Sequence, residues 1–296
     1  MGQVIEITGK EFRRMQLIQL DMLKEFDRVC RKHDIKYVIF AGTLLGAVRH
    51  KGYIPWDDDA DIAMLREDYE NFKKVASEMN PDICYFQDHT TDPGYLWGYG
   101  KLRRTGTTFV RAGQEHMKGQ TGICLDVFPL DDAPKTLPMQ MLQDFHCFCL
   151  RKTIWAQVAK ENEKGFWKFW YTLLSKIPVD TVYANANKWY ISKSSNDRPN
   201  RVRILFMPST GKFYRKAPLP VRYSMPKKWF LERAEYQFED TVLYGIQDYD
   251  AFLEYEYGDY MTLPPEEKRV AHAPCSSYDF GGIREDVLYE DEQGKK

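Results

Sequence analysis

AGTLLGAVRHKGYIPWDDDADIAM, residues 41–64, decides how this chain is read. An apolar, strand-like run over 37–41 leads into a Gly42-Thr43 turn, a short apolar helix candidate and a basic turn, Arg49-His50-Lys51-Gly52. Asp57, Asp58, Asp59 and Asp61 follow and run directly into the apolar Ile62-Ala63-Met64. Carboxylates this close at the mouth of a buried strand repel one another. Two of them about 4 Å apart cost roughly 4 kcal/mol at an effective dielectric of about 20. A divalent cation reverses that sign, and hard oxygen ligands suit Mg²⁺ or Mn²⁺. Side chains alternate along a strand, so Asp59 and Asp61 are expected on one face, able to grip one ion or bridge two. Mg²⁺ commonly shares its shell with substrate phosphates, which points to phosphoryl or nucleotidyl transfer. Taken alone, the run reads equally well as an acidic, solvated turn. The Gly42-Thr43 turn and a later carboxylate weigh against that.

The later carboxylate is Asp126, in GICLDVFPL, residues 122–130. An acid inside a short apolar run must be paired or bind metal once buried. If this strand lies beside the one carrying Asp61, three carboxylates converge. Gly42 and Thr43 would then supply backbone N–H groups at a helix start, a natural seat for phosphate. The competing reading of Asp126 is a strand-end residue that bonds the following turn.

Hydrophobic-Gly-Thr, then D-x-D, then hydrophobic-Asp-hydrophobic resembles the polymerase-β-like nucleotidyltransferase superfamily. The wording is closer still to its LicD branch. Residues 41–64 with the helix-like 66–72 are similar to that family's central signature, CLDVFPLDD (124–132) to its second block, and YGDYMTLPPEEKR (257–269) with His272 to its closing block. Ala60 departs from the pattern, standing where a larger aliphatic residue is expected. The resemblance implies an α+β fold, with a mixed nucleotidyltransferase-like sheet flanked by helices and a largely helical C-terminal elaboration. It implies transfer of phosphocholine, or a related phospho-alcohol, from a CDP-linked donor to a hydroxyl of a cell-surface glycan or its lipid-linked precursor, as in lipopolysaccharide or teichoic acid synthesis. Fukutin and fukutin-related protein are eukaryotic relatives. Asp59, Asp61 and Asp126 become the expected Mg²⁺ or Mn²⁺ ligands. Lys101 and Arg103 match a basic strand that would hold donor phosphates, with Gly42, Thr43 and Arg49 as further phosphate contacts. A solvated edge strand is the plainer reading of the two basic residues. His272, Glu266, Glu267 and Asp58 are candidate general bases for the acceptor hydroxyl. Nucleotidyl transfer at the α-phosphorus of an NTP and a non-catalytic scaffold of the same fold remain open.

Composition agrees with a folded enzyme. The chain has 296 residues, 43 % hydrophobic and 15 % aromatic, too rich for disorder. Its formal net charge of -1 supplies no global basic field for nucleic acid. No apolar run approaches the roughly 20 residues that span a bilayer, and the start carries no signal-peptide pattern. The six cysteines are scattered without a C-x-x-C pair, which fits a reducing cytoplasm. Cys147 and Cys149 are expected to be buried. The expected location is cytoplasmic, with peripheral contact at the inner face of the membrane as the extension. Three divisions are expected: a catalytic core over 1–135, a helical and irregular part over 136–283 and a flexible tail over 284–296.

Thr8-Gly9-Lys10-Glu11 reads as a capping box, and Phe12, Met15, Ile18 or Gln19, Met22, Phe26 and Val29 recur at helical spacing. Further helices are expected over 66–79, 138–160, 165–177, 180–194 and 249–257. Strands of one mixed sheet are expected over 83–86, 96–104, 107–111 and 122–128. Residues 194–220 read as a long irregular, flap-like connection. FWKFWYTLLSK, residues 166–176, suits a membrane interface. Its apolar residues fall on nearly every side of the helix, which favours burial or a subunit contact. Trp97, Tyr95 and Tyr99 could cage a quaternary ammonium, although core packing is the expectation.

Overall fold

A computed structural model describes residues 4–117, 121–197, 200–208, 223–271 and 274–288. The first helix, α1 (Gly9–Lys32), buries Met15, Ile18, Met22, Phe26 and Val29, the face its periodicity set. Thr8 is its N-cap but makes no capping side-chain hydrogen bond, so the capping box does not form. A short strand β1 (Val38–Ile39) leads into α2 (Ala41–Arg49), and β2 (Asp61–Leu65) leads into α3 (Arg66–Val75). Then follow β3 (Cys84–Gln87), β4 (Gly100–Arg104), β5 (Thr108–Arg111) and β6 (Cys124–Asp132).

The mixed sheet runs in the order β3-β4-β6-β2-β1-β10-β9, where β9 (Arg233–Phe238) and β10 (Thr241–Ile246) form a hairpin. The pairs β2–β6 and β1–β10 are parallel and the other pairs on this path antiparallel, which together with the flanking helices gives an α+β fold. Strand β6 sits at the centre despite Pro129. The strand pairs with β4 over residues 124–127 and with β7 (Arg201–Arg203) over 131–132, so Pro129 lies in the gap between these two partners. A residue without an N–H is tolerated where no ladder asks for one.

Strand β5 pairs with β11 (Cys275–Asp279) in a separate two-stranded sheet rather than joining the main one. The stretch read as irregular connection contains β7, which pairs with β8 (Met225–Pro226) as well as β6; residues 198–199 and 209–220 of that stretch lie outside the described residues. The short α7 (Lys228–Leu231) precedes the hairpin, and α8 (Tyr249–Tyr257) follows it.

Three helices, α4 (Leu137–Asn162), α5 (Gly165–Leu174) and α6 (Val179–Trp189), stand apart from the main core. Cys147, Leu150 and Ile154 of α4 pack on Val182, Tyr183 and Ala186 of α6. An ion pair ties the layer to the sheet, Arg203 Nη2 of β7 to Asp144 Oδ1 of α4 at 2.7 Å. Cys147 is buried but Cys149 is exposed, because two positions on a helix point about 200° apart. Helix α5 is the larger departure from expectation. Only Tyr171 is buried, while Phe166, Trp167, Phe169, Trp170 and Leu173 are exposed.

Candidate active site

The site forms where β2 and β6 begin. Asp61 and Asp126 are direct partners in the parallel ladder, and Lys101 of β4 is the antiparallel partner of Asp126 on its other side. Three neighbouring strands thus present acid, acid and base in one row. The Lys101 ammonium donates to Asp126 Oδ1 and lies 3.5 Å from Cys124 Sγ.

Asp59 is not on the strand. Regular β structure starts only at Asp61, so the alternation expected to align the two does not operate. Asp59 is instead held by an irregular backbone fixed from α1. The buried amide of Gln16 donates to Asp57 O at 2.9 Å and to Ile54 O at 3.1 Å. That of Gln19 donates to Asp58 O at 2.9 Å and to Cys124 O at 3.2 Å, joining the acidic segment to β6. The same linkage is made by the Asp126 N–H, which donates to Ala60 O at 2.9 Å. Ala60 is fully buried in this crossing. On the opposite side Thr43 Oγ1 accepts the Asp61 N–H at 2.8 Å.

In this arrangement one carboxylate oxygen each from Asp57, Asp58 and Asp59 lies within 4.8 Å of the other two. The electrostatic consequence is large. Burial pushes the Asp57 carboxyl up to about 8, with Asp59 as the next cause. Asp59 opens on the cleft but is enclosed on its other sides; that enclosure first, then Asp126 and Asp58, raises it. Asp61 is raised well above the usual carboxylate range by burial, then by Asp59, Asp126 and Asp57. Lys101 opposes both of the last two shifts. A donor set of crowded hard oxygens that resist ionising together suits a divalent cation such as Mg²⁺ or Mn²⁺.

Gly42 is tied to this cluster by space. A Cβ there would sit 2.6 Å from Asp57 Oδ2, so only glycine lets that carboxylate lie against the start of α2. Ala41, just before it, has φ 46°, a left-handed conformation that costs about 1–2 kcal/mol. The Thr43 N–H donates to Phe40 O at 3.0 Å, so Thr43 meets the site through the hydroxyl that holds Asp61.

Asp58, Asp59, Lys101, Arg103 and Asp126 line a cleft of about 410 Å³ whose far wall is Trp97, Tyr99 and Trp155. Arg103 is on the Lys101 face of β4, but its Nε donates to Gln87 Oε1 at 2.9 Å and its Nη1 to Gly122 O at 3.0 Å. Arg49 is not in the cleft lining and donates to Tyr260 O at 2.6 Å. Tyr95 is fully buried, whereas Trp97 and Tyr99 face the cleft. Glu266 is 91 % exposed, in a short 3-10 turn with Glu267 (Glu266–Lys268). His272 lies outside the described residues. The closing block approaches the acidic segment through Arg269, whose guanidinium lies 5.4 Å from the Trp56 ring centre. It does so again through Tyr257, whose phenol is raised well above its usual range, first by burial and then by Glu256, Asp61 and the other acids.

Asp57, Tyr257, Gln16 and Gln19 are the site residues that the sequence reading did not assign. The four-aspartate run could have flagged Asp57. Nothing local marks the glutamines.

A mixed sheet whose adjacent strands converge carboxylates and a lysine, beside a Gly-Thr helix start, defines a domain of the nucleotidyltransferase type. A model of the LicD/FKTN/FKRP nucleotidyltransferase domain matches residues 34–156. The lipopolysaccharide cholinephosphotransferase LicD of Haemophilus influenzae is 28 % identical over 277 residues, covering 90 % of this chain and 97 % of that protein. Uncharacterized proteins of Rickettsia typhi and Rickettsia prowazekii match shorter segments, 46 % identical over 77 residues and 45 % over 72. Residues 34–156 thus match the LicD family model, and nearly the whole chain is similar to a LicD protein.

Proposed function

We propose that this protein transfers phosphocholine, or a closely related phospho-alcohol, from a CDP-linked donor to a hydroxyl of a cell-surface glycan or its lipid-linked precursor. The observation that carries the reading is the row Asp61–Asp126–Lys101 across three strands, of which Asp126 and Lys101 line one cleft with Asp59. The likeness to a lipopolysaccharide cholinephosphotransferase over 90 % of the chain supports the choice of group and acceptor class.

Asp59, Asp61 and Asp126, with Asp57 adjoining, would hold Mg²⁺ or Mn²⁺. Bound there, the ion neutralises the donor's diphosphate and makes its phosphorus more electrophilic. Lys101 stabilises charge that gathers on the departing nucleotide, a role that needs a donor fixed in a cleft largely closed to water. Gly42 keeps the start of α2 open to phosphate. Asp58 is buried and faces the cleft, and we assign it the acceptor's proton. The acceptor oxygen bonds to the donor's β-phosphorus, the bond from that phosphorus to the bridging oxygen breaks, and CMP leaves with that oxygen. Trp97, Tyr99 and Trp155 line the cleft, and we place the donor's quaternary ammonium among them.

Calorimetric titration with CDP-choline, CDP-glycerol, CDP-ribitol, CTP and ATP, each with and without Mn²⁺, tests the reading. Metal-dependent binding of a CDP-alcohol that is lost in Asp61→Asn is the expected result. Binding of CTP or ATP alone transfers the assignment to nucleotidyl transfer, and no metal-dependent binding of any of them overturns the enzyme reading.

A further inference from the structure

The least explained surface of the molecule is α5 with the outer side of α4. The two helices pack through Ala156 and Ala159 against Tyr171 and Leu174, and Gln157 Nε2 donates to Ser175 O at 2.8 Å. The joint is therefore fixed, and what it leaves outward is apolar. Phe166 is 68 % exposed and Phe169 67 %, with Trp167, Trp170 and Leu173 also exposed. Isolated exposed apolar residues are ordinary, but five within one ten-residue helix mark a docking surface.

Charge selects the occupant. From residue 164 to 179 the charged side chains are Lys164, Lys168 and Lys176, with Glu161, Glu163 and Asp180 bounding the stretch at its two ends. All three lysines are exposed. A two-fold contact between copies through this helix would set those lysines against their own images. An anionic lipid surface instead offers phosphates to the lysines and an acyl boundary to the rings, the arrangement Trp and Lys adopt at bilayer interfaces. At about 1.5 Å per residue α5 is too short to cross a bilayer, and no described helix is long and apolar enough to do so. It would lie in the plane of the surface.

We propose that α5, with the adjoining outer face of α4, docks this protein on anionic lipid bilayers. The placement has a consequence for the cleft. Trp155 of α4 belongs to the cleft wall, and Phe148 and Trp155 line the apolar pocket that continues from it past Tyr99. The docked face thus leads to the mouth of the site, where a lipid-linked acceptor would arrive. That consequence rests on the transferase reading; the docking itself does not, and it is measured without donor or metal.

The test is flotation of the full chain with vesicles of equal parts phosphatidylcholine and phosphatidylglycerol, compared with phosphatidylcholine alone. With roughly a fivefold gain per lysine, the three lysines predict on the order of a hundredfold preference for the anionic vesicles, falling as salt rises. Phe166→Ser combined with Phe169→Ser should lower partitioning at least tenfold while leaving the circular dichroism spectrum unchanged, since both rings are solvent-exposed. Lys164→Glu combined with Lys168→Glu should remove the anionic preference. Failure of the wild-type chain to float, equal partitioning of the phenylalanine variant, or a dimer broken by those substitutions in a chain that ignores vesicles would each overturn the proposal.

Discussion

Replacing Lys101 by Met keeps the length of the side chain and removes its charge. Lys101 and Asp126 are in contact, with side chains 11 % and 19 % exposed. Two unit charges about 4 Å apart attract by about 4 kcal/mol at an effective dielectric near 20. Removing one partner of a fully buried pair destabilises by about 3–5 kcal/mol, and the partial exposure here points to the lower end, about 3 kcal/mol. At about 2–4 °C per kcal/mol, the metal-free variant should melt roughly 6–12 °C below the parent. Metal binding should move the opposite way. Lysine and a divalent ion compete for the same carboxylate, and at that separation they repel by about 2 kcal/mol in bulk water and about 8 kcal/mol at a dielectric near 20. Even the smaller figure corresponds to more than tenfold tighter Mn²⁺ binding in the variant. Saturating Mn²⁺ should therefore restore more melting temperature to the variant than it adds to the parent. Turnover should still fall about 10²–10³-fold, because a positioned charge at the leaving group is gone. Scanning calorimetry with EDTA and with Mn²⁺, Mn²⁺ titration and CMP release read the three effects. Unchanged or weaker Mn²⁺ affinity would show that Lys101 and the metal do not share Asp126. Undiminished turnover would remove the lysine from the chemistry.

Other perturbations separate the parts of the site from the scaffold. Gly42→Ala adds a methyl whose near neighbours are all atoms of the Asp57 carboxylate; stability should change by less than about 1 kcal/mol, helix preference favouring Ala, while donor affinity falls at least tenfold in titration. Unchanged donor affinity would take Gly42 out of the phosphate seat. Gln19→Leu strips donors from Asp58 O and Cys124 O; urea denaturation should show a loss of about 2–4 kcal/mol, and Mn²⁺ affinity should drop with it. Asp131→Asn breaks the bidentate pair in which Arg66 Nε and Nη2 donate to Asp131 at 2.8 and 2.7 Å. The buried guanidinium cannot shed its proton, so the loss should be about 3–5 kcal/mol and nearly independent of pH. His89 stacks on Tyr183 with ring centres 3.6 Å apart, and burial lowers its pKa. A histidine lowered in the folded state gives its full stability above the unfolded value near 6.5 and loses it as pH falls below that. His89→Phe should therefore flatten the decline of melting temperature as pH falls below about 6.5, and an unaltered profile would assign that decline to other groups.

The parts of this site that could be read from sequence are those that break a local rule. Four aspartates before a buried strand, and Asp126 inside an apolar one, are costly as they stand, so they announce a cation and a shared cleft; the ladder then makes Asp61 and Asp126 neighbours. Lys101 was assigned only through the family resemblance, beside a plainer reading as a solvated edge strand, and it proves to be the partner of Asp126. Gln16 and Gln19 break no rule. A glutamine on a helix is unremarkable until its amide meets backbone carbonyls some forty residues on, at Asp57 and Asp58. Those contacts decide the position of Asp59, which strand alternation placed by the wrong geometry. The hairpin β9–β10 is a local pairing across Glu239-Asp240 that the sequence reading passed over; what leaves no local pattern is its docking beside β1, about two hundred residues earlier. Helix α5 shows the converse limit. A helix apolar on nearly every side violates the rule for a water-facing element, so the sequence announces that something covers it; whether that cover is the chain's own core depends on neighbours the helix does not encode. Among the described residues none covers Phe166, Trp167, Phe169 or Trp170. What then chooses among outside partners is again a local signal, three lysines with no acid between them, which is why the docking face can be argued from the same residues whose burial was misjudged.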